Sequence, residues 1–325
     1  MPNDFSHIQT DFFKQAKQKI GSTTLPANEI ASLLKISRSE AYNKISGKSQ
    51  LTLNQLYTLC KKYNIRFEIP NKQQLNSCNI SYTPFHSGNI SISDYIKSLN
   101  VFIEEMASKQ IINLSCATDD IPFFHLFKYP ELTAFKMHFW DNRILKYGEN
   151  NAEKCFDFKK YNKKDIKVAY QLYNNYQNIP STEIWTKSYL LITPDQIKYA
   201  QESQLIKDSG LGKIICDQLL STLTDVEKYA VKRTKKNDVP FEWYQCDVVG
   251  SVTYLVETLE GKNCFLRFNT FNNFQTTDDK VCKEVQMWLN SLLNNSTGFS
   301  GHGSRQRNIY LQNARKTIED LRDSF

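Results

Sequence analysis

The chain has 325 residues, 40% of them hydrophobic and 23% charged, which allows two globular domains with cores of their own and excludes wholesale disorder. Its formal net charge of +7 is unevenly placed: residues 1–72 carry 11 Lys and Arg against five acids, and the rest carries 30 against 29. A basic head on a nearly neutral body points to a polyanion as the partner of the head. The eight cysteines are nowhere closer than 18 residues, so no C-x-x-C zinc or redox signature exists. The start has no basic segment followed by an apolar run, and no window is apolar enough to span a bilayer. A cytoplasmic chain with reduced thiols, no metal and no cofactor is expected.

Apolar residues at helical spacing begin near Phe12 and Phe13 and continue through Ala16 and Ile20, with Gly21 as the stop. A second helix is expected from Leu25-Pro26, because proline in the first turn forfeits no hydrogen bond; Ile30, Ala31, Leu33 and Leu34 form its inward face. After Lys35-Ile36, the run Ser37-Arg38-Ser39-Glu40 has the form of a capping box, in which the serine hydroxyl takes an orphan N–H and the glutamate reaches back. The third helix it opens holds only Ala41 and Ile45 as core contacts and ends at Gly47. Thr52-Leu53-Asn54-Gln55 is a second capping box, opening a fourth helix to about residue 64 with Leu53, Leu56, Leu59 and Cys60 inward.

Two short helices across a tight turn, the second poor in apolar residues, have the layout of a helix-turn-helix. The exposed positions of the second would be Ser37, Arg38, Ser39, Tyr42, Asn43, Lys44, Ser46 and, just beyond, Lys48. Arg and Lys suit guanine edges and phosphates, Asn suits adenine, and Tyr and Ser hold backbone phosphates.

The run from Glu29 to Tyr42, EIASLLKISRSEAY, resembles the Xre/Cro family of phage-repressor-like helix-turn-helix regulators, and the likeness continues through Ile45-Ser46-Gly47-Lys48 and Leu51 to Leu56. It covers about 58 residues. Ala31 stands where the family places a small residue for close helix approach. The resemblance implies sequence-specific binding of double-stranded DNA in the major groove, as a homodimer on a palindromic operator. Two positions depart from the pattern. Lys35 stands where the turn commonly has glycine, and Lys44 where the third helix commonly has an apolar residue. A slight rotation bringing Ile45 into that core contact is expected.

Pro70 to Ser77 is polar and reads as linker, so the expected division is a head at 1–70, a linker at 71–90 and a body at 91–325. In the body, a helix is expected from Ser93-Asp94 with Ile96, Leu99, Ile103 and Met106 on one side, then a strand over Ile111 to Ala117. Helices follow near 132–146 and 164–178, after Thr193-Pro194-Asp195 and over 211–235; Trp185 to Ile192 fits strand and buried helix equally. Val252, Tyr254, Val256 and Thr258 alternate, Glu260 to Asn263 turns, and Phe265 to Phe268 continues, which describes a hairpin with Trp243 to Val249 as its third strand. Helices near 278–294 and 306–323 end the chain. The fold class is therefore α+β: an all-α head of four to five helices and a larger domain with an antiparallel meander flanked by helices, rather than a parallel sheet.

No motif for catalysis stands out, and no enzyme activity is expected. His125 and His138 sit among aromatics as core histidines would, Gly210-Leu211-Gly212-Lys213 lacks the Ser or Thr of a phosphate loop, and Asp119-Asp120 and Asp278-Asp279 read as caps or turns. Arg305 and Arg307 flank a Gly-rich loop before the last helix and are candidates for gripping an anion. Leu311, Ala314, Ile318 and Leu321 are spaced either for docking on the body or for a dimer seam, and docking is the expectation. The aromatics around Phe123 to Trp140 belong to a core that can also line a pocket. The expected protein is a one-component transcriptional regulator whose body dimerises or senses a small-molecule or protein effector. The alternative is an enzyme or effector of a defence or stress system that uses the head for autoregulation or targeting.

Overall fold

The computed structural model describes residues 5–20, 27–63, 65, 67, 78–85, 90–145, 155–186, 192–247, 252–268 and 272–325. The chain divides into two compact units, Met1–Ser77 and Cys78–Phe325.

The head contains α1 (Phe5–Ile20), α2 (Ala27–Leu34), α3 (Arg38–Ile45) and α4 (Leu53–Tyr63). The helix α1 begins well before Phe12, while the expected stop at Gly21 and the Leu25-Pro26 start lie outside the described residues. Phe12, Phe13 and Ala16 of α1 meet Ile30 and Ala31 of α2, Ala41 of α3 and Leu59 of α4 in one buried cluster. Each buried phenylalanine is worth about 2–3 kcal/mol of transfer free energy. Leu53 corrects the expected inward face of α4: it is 84% exposed, so Leu56, Leu59 and Cys60 carry that contact.

Both capping boxes start helices. Ser37 Oγ accepts from the Glu40 N–H at 3.1 Å, and the Glu40 carboxylate turns to Lys44 at 3.8 Å. In the second box the bonds are reciprocal, Gln55 N–H to Thr52 Oγ1 at 3.3 Å and Thr52 N–H to Gln55 Oε1 at 3.1 Å. The turn between α2 and α3 needs a left-handed residue, and Lys35 supplies it with φ of 54°. A lysine there costs the head about 1 kcal/mol that a glycine would not.

The body is built on a seven-stranded sheet in the order β6-β5-β4-β1-β2-β3-β7. Its elements in chain order are α5 (Ile92–Ser108), β1 (Ile111–Thr118), α6 (Phe123–Leu126), α7 (Pro130–Trp140) and α8 (Lys163–Gln177). Next come β2 (Ser181–Trp185), α9 (Ile192–Glu202), α10 (Ser209–Lys232) and β3 (Phe241–Gln245). Then follow β4 (Thr253–Thr258), β5 (Gly261–Arg267), β6 (Asn273–Thr276), α11 (Asp279–Asn294), β7 (Thr297–Gly298) and α12 (Arg305–Asp323). The fold is α+β, with an N-terminal helical unit.

The hairpin and meander are present as β4-β5-β6, all antiparallel. The third strand is Asn273–Thr276, however, not the segment after Trp243. That segment is β3, which runs parallel to β2, as β2 does to β1. Helical crossovers joining β1 to β2 and β2 to β3 allow this, since parallel neighbours need a long return. The expected linker ends differently too. Residues 70–77 are outside the described residues, but Ser81 pairs with Gln275 through both backbone bonds at 2.8 Å, adding a bridge to the β6 edge.

Strand periodicity sorts the sheet's two faces. Leu114, Cys116 and Val256 pack under α5 and α8, and Trp185, Phe241 and Trp243 under α10 and α12. Ala117, Ile184, Leu255 and Cys264 face Val285 and Leu289 of α11 on the other side. Leu311, Ala314, Ile318 and Leu321 of α12 are all buried against the body. The turn into α10 is a helix start: Asp208 caps Leu211 at 3.2 Å, and a Cβ at Gly212 would overlap the Phe325 ring. No helix among the described residues is long and apolar enough to cross a membrane.

Candidate functional site

In the head, the site is the outward face of α3. Ala41, fully buried, fixes which way the helix turns. Arg38, Ser39, Tyr42, Asn43 and Ser46 are then exposed, as is Lys48 in the following turn. Arg38 and Tyr42 lie one turn apart, the guanidinium 5.9 Å from the ring centroid, so they present one cationic, planar surface. Ser37 is the helix cap, its hydroxyl oxygen engaged by Glu40.

Lys44 is not on this face. It is 5% exposed, and its ammonium donates to the Gln50 carbonyl at 2.8 Å. The position is thus inward, with the lysine stem in the core and its charge on a backbone acceptor. Ile45 packs beside it as a partly buried residue, without the rotation that the sequence suggested. The loop after α3 is held from α1. Gln9 donates to the carbonyls of Lys44 at 2.6 Å and Ser49 at 2.8 Å, and its amide oxygen accepts from the Leu51 N–H at 2.8 Å.

In the body, a cavity of about 490 Å³ opens where β1 ends and β4 begins. Ile96 and Leu99 of α5, Phe123, Phe127, Trp140 and Phe268 form apolar walls. Its polar groups come from the strand ends. Arg267 at the end of β5 makes a two-pronged pair with Asp119, one arm at 2.8 Å to Oδ1 and the other on Oδ2. Asp120 accepts from the Thr193 hydroxyl at 3.0 Å and faces the Lys136 ammonium at 3.4 Å. Lys136, 1% exposed, also donates to Gln196 Oε1 at 2.7 Å and Thr193 Oγ1 at 3.1 Å. Burial lowers the Lys136 pKa and raises that of Asp120, and each partner opposes the other's shift. Tyr254 also lines the cavity, and its hydroxyl has no hydrogen-bond partner among the described residues. Burial pushes that phenol well above its ordinary pKa, so it stays protonated and can donate.

No family model matches this chain, and no curated protein does. Among solved structures, the archaeal chromatin protein TrmBL2, described as showing a novel mode of DNA binding, is similar at 12% identity over 89% of this chain and 81% of its own, with a TM-score of 0.25. A likeness that loose carries neither fold nor function to the present chain.

The remaining candidates resolve into internal contacts. Arg307 is 3% exposed and its Nη1 donates to the carbonyls of Phe299 at 2.7 Å and Gly301 at 2.6 Å, so it locks the Gly-rich loop from within and, although its Nε has no partner among the described residues, it is buried away from an anion in solvent. Of the two arginines only Arg305 is exposed. His138 bonds the Tyr161 hydroxyl at 2.9 Å. His125 meets Glu183 at 2.8 Å in the middle of the sheet, where Glu183 also accepts from the Tyr176 hydroxyl and from Trp185 Nε1 at 2.8 Å. Nearby, Lys235 closes the end of α8, its ammonium on the carbonyls of Tyr176 at 2.9 Å and Ile179 at 2.5 Å. Among the described residues no three His, Cys, Asp or Glu are grouped to hold a metal.

The sequence reading missed the polar end of the cavity. Asp119 and Asp120 look like turn residues because their partners, Arg267, Lys136 and Thr193, are distant in the chain. The one local signal was a pair of acids directly after a strand, where side chains of open sheets meet ligands.

Proposed function

We propose that this chain is a sequence-specific DNA-binding transcriptional regulator of the one-component, Xre/Cro-like type, and not an enzyme. What supports this most is the α3 register. Ala41 and Lys44 point into the core, which leaves Arg38, Ser39, Tyr42, Asn43 and Ser46 on one solvent-facing strip of a helix held by caps at both α3 and α4. Such a strip inserts into a major groove with its N-terminal residues on base edges and its neighbours on phosphates. The charge excess in residues 1–72 would supply the salt-dependent part of the affinity. A single head buries little surface, so a homodimer on two half-sites about one DNA turn apart is part of the proposal. The body is the sensing half, with the cavity between β1 and β4 as the effector site.

Selection from a random double-stranded DNA pool at two salt concentrations tests this. A palindrome should be enriched, and its affinity should fall steeply with salt while the sequence preference persists. A pool that remains random at low salt would rule the reading out.

A further inference from the structure

We infer that the body cavity takes an uncharged, amphipathic small molecule of about two or three fused or linked rings, held by apolar walls and by the Tyr254 hydroxyl. The inference rests on the reading of the body as the sensing half and names the chemistry of that site.

Size is the first constraint. About 490 Å³ falls within the roughly 300–1,000 Å³ of small-molecule sites and far exceeds the space of a few trapped waters. Charge is the second. The ionisable carboxylates and bases lining the cavity are Asp119, Asp120, Lys136 and Arg267, two acids and two bases. They are already matched, Asp119 with Arg267 and Asp120 with Lys136. A ligand with a net charge would find no surplus opposite charge and would have to break a pair in a poorly solvated space. A neutral ligand leaves both pairs intact. The third constraint is hydrogen bonding. The Tyr254 hydroxyl is a donor without a partner among the described residues, and the Gln196 amide uses its oxygen on Lys136. A carbonyl or ether oxygen on the ligand would satisfy them, while rings stack on Phe123, Trp140 and Phe268.

A matched pair of fluorescent probes separates these terms: N-phenyl-naphthylamine, which is neutral, and its sulfonated analogue anilinonaphthalene sulfonate. Titrated into the full chain, the neutral probe should bind saturably at one site with blue-shifted emission, and the sulfonate about tenfold or more weakly. Leu99→Trp, which fills the wall, should abolish the neutral probe's binding. Asp119→Asn leaves Arg267 unmatched, so the sulfonate should gain about tenfold on the neutral probe. The second variant keeps the test valid if the first melts early. Absence of saturable binding, equal affinity for both probes, or an unchanged preference in Asp119→Asn would overturn the assignment. So would binding that survives in a folded Leu99→Trp. Failure here leaves the α3 reading standing, because DNA selection tests that separately. If the probe binds but the affinity for selected DNA does not move, the pocket chemistry stands and the sensing role falls.

Discussion

Gln9→Met should unfasten the head without touching the exposed face of α3. The Gln9 side chain is 8% exposed and makes three bonds, to the carbonyls of Lys44 and Ser49 and from the Leu51 N–H. Methionine keeps the length and fills the space but cancels all three. The Lys44 carbonyl retains the Gly47 N–H at 3.1 Å, so the Ser49 carbonyl and the Leu51 N–H are the groups left without that partner. At about 1–1.5 kcal/mol for each orphaned, partly buried group, the head should lose about 2–3 kcal/mol. Native-state hydrogen exchange on the full chain reads this directly. Amides of α1, α3 and α4 protected by global opening of the head should exchange about 30- to 150-fold faster, because 1.4 kcal/mol is a factor of ten. Amides of β1 to β3 serve as the internal control. A change below about threefold in the head would refute the role assigned to these three bonds.

Lys44→Met should cost the head about 1–2 kcal/mol, because the Gln50 carbonyl loses a charged donor, and should leave the selected DNA sequence unchanged, because the ammonium faces that carbonyl rather than solvent. A lost preference in a stably folded variant would mean that α3 is rotated. Arg307→Met should cost the body about 2–4 kcal/mol in urea unfolding followed by tryptophan fluorescence, because two carbonyls lose a charged donor. Inorganic phosphate should not raise the wild-type Tm; a rise that vanishes in the variant would restore an anion site. Lys235 gives a pH dependence. Burial lowers its pKa from 10.5 to about 7, opposed by Glu183 and Cys116. Below pH 7 it is charged folded or unfolded, whereas between 7 and 10.5 the unfolded chain binds the extra proton, so its contribution to stability rises with pH. Stability measured across that window should climb less steeply in Lys235→Met, and identical slopes would contradict the burial argument.

Local features were legible in the sequence, and distant pairings were not. Capping boxes, helical spacing and the β4–β5 alternation each depend on residues within a few positions, and they placed α3, α4 and the hairpin correctly. The parallel core escaped because β1, β2 and β3 are separated by crossovers of helix, and a short apolar run does not announce its neighbour. Lys44 misled for a chemical reason: a lysine can bury its stem if a carbonyl meets its ammonium, and the Gln50 carbonyl is invisible to residue type. Arg307 did so for the same reason, being spent on the backbone of its own loop. The cavity's ion pairs joined residues up to 148 positions apart, beyond any spacing rule.

The most direct test of the central claim is the affinity of wild type, Arg38→Ala and Asn43→Ala for the selected duplex and for a scrambled duplex of the same length and salt. Base-edge contacts from α3 predict a loss of about 5- to 150-fold on the selected duplex, equivalent to about 1–3 kcal/mol, with little change on the scrambled one. Equal losses on both duplexes, or none on either, would contradict the assignment of α3 as the reading helix.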